Sequence, residues 1–72
     1  MHKNGELHNN LMVLRAEKKW TQQDLAKRVG VTRQTIASIE SNRYNPSLIL
    51  AFEIAVAFEK EIFEVFQYKI RE

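Results

Sequence analysis

The sequence predicts a mainly α domain, a small bundle of short helices that ends in a short β element. Three observations carry that expectation. Apolar residues recur at helical spacing from Leu11 to Phe58. Hydroxyl residues stand where helices would begin, at Thr21, Thr32 and Ser47. The tail changes period, Phe66, Tyr68 and Ile70 alternating with Gln67, Lys69 and Arg71 as in a strand with one apolar face.

The chain has 72 residues, enough for one thin-cored domain. It has no cysteine, so neither a disulfide nor a thiolate metal site can staple it, and a reducing compartment is expected. Small unstapled domains often gain burial by pairing, so a dimer is expected from size alone.

Residues 1–8 read as a flexible leader, with Asn4-Gly5 as a turn signal. They lack the apolar centre of a signal peptide. The first helix is expected over residues 10–19, with Leu11, Leu14 and the small Ala16 on its apolar side. Thr21 caps a second helix, with Asp24 three residues on as the acidic half of a capping box. Trp20 and Leu25 flank that cap as a hydrophobic staple, and Val31 and Ile36 repeat the pattern around Thr32. Leu25, Ala26 and Val29 form the buried face of the second helix, and Ile36 and Ile39 that of the third, which runs to about Ser41.

After the turn "NRYNPS", the stretch "LILAFEIAVAF" is apolar nearly all round and is expected to be the central helix. It is about half the length of a membrane span, and Glu53 interrupts it, so a cytoplasmic protein with no membrane association is expected. "IFEVF" reads as one or two further helical turns. The tail strand needs a partner, either residues 7–10 or the same tail of another subunit.

Gly30 explains the middle of the chain. Two short helices joined by a glycine turn make a helix-turn-helix, here over residues 22–41. Glycine takes the positive φ that ends one helix, and Ala26 is small enough for the two helices to approach closely.

With these positions in register, residues 9–66 resemble the Cro/cI-type (Xre family) helix-turn-helix domain of the lambda and 434 repressors. The ending "RYNPSLILAFEIAVAFEKEIFEVFQY" resembles a subgroup of very short, single-domain regulators similar to the cytolysin repressors. The resemblance implies a five-helix bundle, termini paired as a small antiparallel β-sheet (residues 67–72 supplying the C-terminal strand and tail), and a homodimer. Nothing in the chain resembles the attached domains of larger repressors, so regulation by cleavage of such a domain is not expected.

Charge distribution agrees with a polyanion partner. From Arg15 to Arg43 there are seven basic residues against three acids, whereas from Tyr44 onward five acids outnumber three bases. The motif places its second helix in the major groove of double-stranded DNA. Arg33 and Gln34 are the candidates for base reading, since arginine matches guanine and glutamine matches adenine bidentately. Ser38 and the methyl of Ala37 are further base contacts. Gln22, Gln23, Thr32, Ser41, Asn42 and Arg43 are the candidate phosphate contacts.

The resemblance also implies an ion pair between Arg15 and Glu40 that holds the recognition helix in place. Ile62, Phe63 and Phe66 are the candidate dimer surface. The expected function is a DNA-binding regulator, by default a repressor, acting on a near-palindromic operator. The alternative is an antitoxin or adaptor using the same fold to bind a protein. Catalysis is not expected: His2 and His8 have no metal-ligand spacing, no phosphate-binding glycine loop is present, and no cofactor or metal is implied.

Overall fold

Seven elements order residues 5–70 of the computed structural model, the residues it describes. They are β1 (Gly5–Asn9), α1 (Leu11–Lys18), α2 (Gln22–Val29), α3 (Arg33–Glu40), α4 (Leu48–Phe58), α5 (Ile62–Val65) and β2 (Phe66–Ile70). The described residues are therefore mainly helical, with five helices and one two-stranded antiparallel sheet.

Side-chain caps start three of the helices. The hydroxyls of Thr21, Thr32 and Ser47 accept from the backbone N–H of Asp24, Thr35 and Leu50. At α2 the reciprocal bond completes a capping box, the N–H of Thr21 donating to the Asp24 carboxylate at 2.9 Å. These bonds from Thr21, with a smaller contribution from Arg28 and Lys27, hold the Asp24 pKa below the usual carboxylate range. A folded-state pKa below the unfolded value of about 3.9 stabilises the protein above that pH, and the gain disappears as pH falls through the folded value. Melting curves of the wild type and Asp24→Asn should accordingly differ at pH 7 and converge as the pH falls through the folded-state value. A constant difference across that range would mean that the Asp24 charge has no part in the cap.

Three of the five helices end in a left-handed cap residue, one a glycine and two not. Gly30 ends α2 at φ 74°, its N–H donating to the carbonyl of Ala26. Lys19 and Glu59 take the same left-handed geometry after α1 and α4, at φ 60° and 57°. No atom lies within 4 Å of where a Cβ on Gly30 would stand. The cost of Gly30→Ala is thus purely conformational, about 1–2 kcal/mol, and Gly30→Asn should cost less because asparagine tolerates this region. Urea titrations of the two variants check the order, and equal midpoints would contradict it.

The sheet brings the two ends of the described chain together. β1 and β2 pair with Leu7 opposite Tyr68 and Asn9 opposite Phe66. Of the leader expected over residues 1–8, residues 5–8 are thus strand, and of the two partners expected for the tail it is the segment at residues 7–9 of this chain that pairs with it. Residues 1–4, which include His2, and 71–72 lie outside the described residues. β2 also starts one residue earlier than the expected tail, at Phe66.

The core is built from Leu11 and Leu14 of α1, Leu25, Ala26 and Val29 of α2, Ile36 and Ile39 of α3, Ala51, Ile54, Ala55 and Phe58 of α4, Val65 and Phe66. Two expectations are corrected here. Ala16 is exposed rather than on the buried side of α1. Phe66 is buried in the monomer core at 8% exposure and has little surface to offer a second subunit, whereas Phe63 is 68% exposed. Ile62 is half-buried against the core. Beside the core, the Trp20 ring stacks on Phe58 with centroids 5.2 Å apart, and the Arg28 guanidinium lies 4.1 Å from the Trp20 centroid on the outside.

Candidate nucleic-acid interface

Packing of α2 on α3 fixes the orientation of the outward face of α3. Ile36 and Ile39 are fully buried, so the opposite side must face away from the core. Arg33 and Gln34 are exposed there, at the first two positions of the helix, while Ala37 and Ser38 one turn later are half-buried. Two shallow hollows flank this face. One is lined by Thr32, Gln34, Thr35, Ser38 and Tyr44, the other by Gln34, Ala37, Ser38, Ser41 and Arg43. Gln34 and Ser38 belong to both, so three of the four candidate base-reading residues (Gln34, Ala37 and Ser38) and part of the candidate phosphate set share one continuous surface, while Arg33 lines neither hollow.

A hydrogen-bond chain runs beneath that surface. Arg15 of α1 donates from Nε and from an Nη to the two oxygens of Glu40, the second bond being 3.0 Å. Its other Nη donates to the carbonyl of Trp20 at 3.0 Å. The Gln22 amide donates to Glu40 at 3.1 Å, and Arg33 donates to the Gln22 carbonyl oxygen at 3.2 Å. The Glu40 side chain is only 4% exposed and that of Arg15 15%. Hydrogen bonding to Glu40 raises the Arg15 pKa above its ordinary value, against the opposing effect of burial. A guanidinium and a carboxylate removed from water are stable only when their donors and acceptors are matched, as the two parallel bonds do here.

Gln22 therefore has a double position. It stands at the N-terminal end of α2, where free N–H groups favour an anion, and it links Glu40 to Arg33, the first residue of α3. Spacing along the chain does not reveal this bridge, because its members lie on α1, α2 and α3 and meet only once the helices pack.

The other candidates divide by what already engages them. Gln23 and Arg43 are exposed on α2 and in the α3–α4 turn. The Thr32 hydroxyl is occupied as the α3 cap and lies 3.0 Å from the Thr35 hydroxyl. The Ser41 hydroxyl donates to the carbonyl of Ser38. Asn42 has φ 63°, and its side-chain oxygen accepts from the Asn9 amide, which also donates to the carbonyl of Ile39 at 3.1 Å. Asn9 thus ties the end of β1 to the end of α3. Neither Asn9 nor Tyr44 is marked by the sequence reading, which takes Tyr44 as part of a turn. Tyr44 is 49% exposed beside Gln34 and Ser38, and a tyrosine between basic and polar residues on an outward face is the only signal for it.

Among the described residues no cluster of His, Cys, Asp or Glu could hold a metal ion, and no helix is long and apolar enough to cross a membrane.

Comparison with known proteins points the same way as the geometry. The family profile described as helix-turn-helix matches residues 11–65. An uncharacterized HTH-type transcriptional regulator of Methanocaldococcus jannaschii is 49% identical over 63 residues, covering 88% of this chain and 96% of that protein. The antitoxin HipB of Escherichia coli is 35% identical over 54 residues, covering 75% of this chain and 61% of HipB. Among solved structures, the restriction-modification controller protein C.AhdI of Aeromonas hydrophila matches with a TM-score of 0.70 at 31% identity, over 75% of this chain and 78% of that one.

Proposed function

This chain belongs to the helix-turn-helix family of DNA-binding transcription regulators, and we propose that it is a dimeric repressor of a near-palindromic operator. The observation that carries this reading is the outward face of α3, where Arg33 and Gln34 stand exposed on a helix whose Glu40 is hydrogen-bonded to Arg15 and Gln22. In this reading α3 enters the major groove. Arg33 and Gln34 read base edges, Ser38 and the Ala37 methyl contact bases one turn later, and α2 crosses the phosphates at Gln22. Gln23, Thr32, Ser41, Asn42 and Arg43 line the backbone path, and Tyr44 joins them as a phosphate or sugar contact.

Two subunits related by a two-fold axis would present their α3 helices to successive major grooves about 34 Å apart. The dimer surface is assigned to the chain end, with exposed Phe63 as its anchor and Ile62 beside it. Repression follows from steric occupation of the operator. Similarity to the antitoxin HipB keeps a second reading in view, in which the same domain also binds a protein toxin.

Selection of binding sites from random duplex DNA by the purified protein, at roughly physiological salt, tests the proposal. A two-fold symmetric site is the expected outcome. A folded protein that enriches no sequence would overturn it and direct attention to a protein partner.

A further inference from the structure

Helix α4 is apolar on the side that faces away from the core as well as on the side that faces it. Ala51, Ile54, Ala55 and Phe58 are buried, whereas Ile49 is 72%, Phe52 49% and Val56 73% exposed. At 100° per residue these three lie within about 60° of one another, so they form one stripe. The stripe is one wall of an open groove of about 470 Å³ lined by Arg28, Ile49, Phe52, Glu53, Val56 and Ala57. None of these residues belongs to the Ile62–Phe63 surface assigned to the dimer.

We propose that a second copy of this chain docks on the α4 stripe, through a two-fold contact distinct from the Ile62–Phe63 dimer surface. Charge complementarity selects the occupant. The groove carries one acid, Glu53, along the stripe and one base, Arg28, across from it on α2, and among the described residues neither forms an ion pair. Antiparallel packing of two α4 helices about a two-fold axis buries the stripes against each other and brings each Glu53 towards Arg28 of the partner subunit. Because it carries both signs, the surface is complementary to itself.

None of the six residues lining the groove belongs to the candidate DNA-contact set, so the proposed mode of DNA binding assigns this face no role. An eleven-residue helix offers less than the ~800 Å² per partner of a standard interface, so the contact belongs to the weak class, with dissociation constants on the order of 10–100 µM.

Sedimentation velocity of the whole chain from roughly 1 to 500 µM tests this, with circular dichroism to confirm folding. Val56→Glu should weaken one association step at least ~30-fold by setting like charges against each other, and an exposed position lets the variant fold. Glu53→Arg should weaken the same step, and Arg28→Glu combined with Glu53→Arg should restore it. Phe63→Glu should leave that step intact and remove the other. A Val56→Glu curve that overlays the wild type, or a charge swap that restores nothing, overturns the proposal, including the case in which the groove serves another protein. Loss of association only in Phe63→Glu leaves the dimer reading standing while this one fails. Loss only in Val56→Glu does the reverse.

Discussion

Glu40→Ala is expected to lower the melting temperature by at least ~12 °C. The substitution removes the acceptor for two Arg15 bonds and for the Gln22 amide, and leaves a guanidinium that is 15% exposed without its counter-ion. Breaking a buried pair from one side costs about 3–5 kcal/mol. For a domain of this size each kcal/mol moves the midpoint by roughly 4–8 °C, and total stability is only about 4–10 kcal/mol. DNA binding should be lost through unfolding, so the deficit appears in a circular dichroism melt without DNA.

Two companion variants separate the pair from its surroundings. Glu40→Gln keeps an acceptor for Gln22 but not the charge, and should fall between wild type and Glu40→Ala. Arg15→Ala combined with Glu40→Ala leaves no unpaired charge and should be less destabilised than the two single effects added together. A Glu40→Ala melt within about 3 °C of wild type would show that the bridge does not hold α3 in place.

Helix starts were legible because capping is local chemistry. A hydroxyl three residues before a free N–H announces itself in sequence: Thr21 and Thr32 cap as expected, and Ser47, read as the start of the fourth helix, is its cap. The ends of α1 and α4 fall within one residue of where the sequence placed them, but left-handed geometry at a helix end was legible only where glycine marked it. Lys19 and Glu59 adopt the left-handed geometry of Gly30 with side chains that give no sign of it. The buried faces of α2 and α3 followed from their period, while Ala16 did not, since one small apolar residue weighs little against the charges around it.

Contacts between distant segments were legible only where the resemblance implied them, as for the Arg15–Glu40 pair and the terminal sheet. Asn9 reaches Ile39 and Asn42 across thirty or more positions, and nothing local at Asn9 distinguishes it from Asn10. The burial of Phe66 likewise follows from the turn out of α5 into β2, which an apolar alternation shared with Tyr68 and Ile70 does not encode. Of what supports the candidate site, the Arg15–Glu40 pair is present as the resemblance implied, whereas the part Gln22 plays in it was not legible. Gln22 reads as a phosphate contact by position, and its bonds to Glu40 and Arg33 appear only when α1, α2 and α3 are assembled.

That support makes the base-reading prediction sharper. Arg33→Ala and Gln34→Ala should each relax one base-pair preference per half-site, at a cost of about 1–3 kcal/mol per contact. In a symmetric dimer the loss counts twice, so affinity for the selected operator should fall by roughly 30-fold or more, while binding to unrelated duplex changes far less. Gln22→Ala should behave differently. It releases Arg33 from its 3.2 Å bond and removes a neutral phosphate contact, weakening binding while the preferred sequence and the salt dependence persist. Arg43→Ala should weaken all sequences alike and lower the salt slope by about one per subunit. Repeating the site selection and salt titration with the four variants checks this division. If Arg33→Ala and Gln34→Ala retain the wild-type base preferences, then α3 does not read the operator through its first turn, and specificity must come from Ser38, Tyr44 and the shape of the DNA.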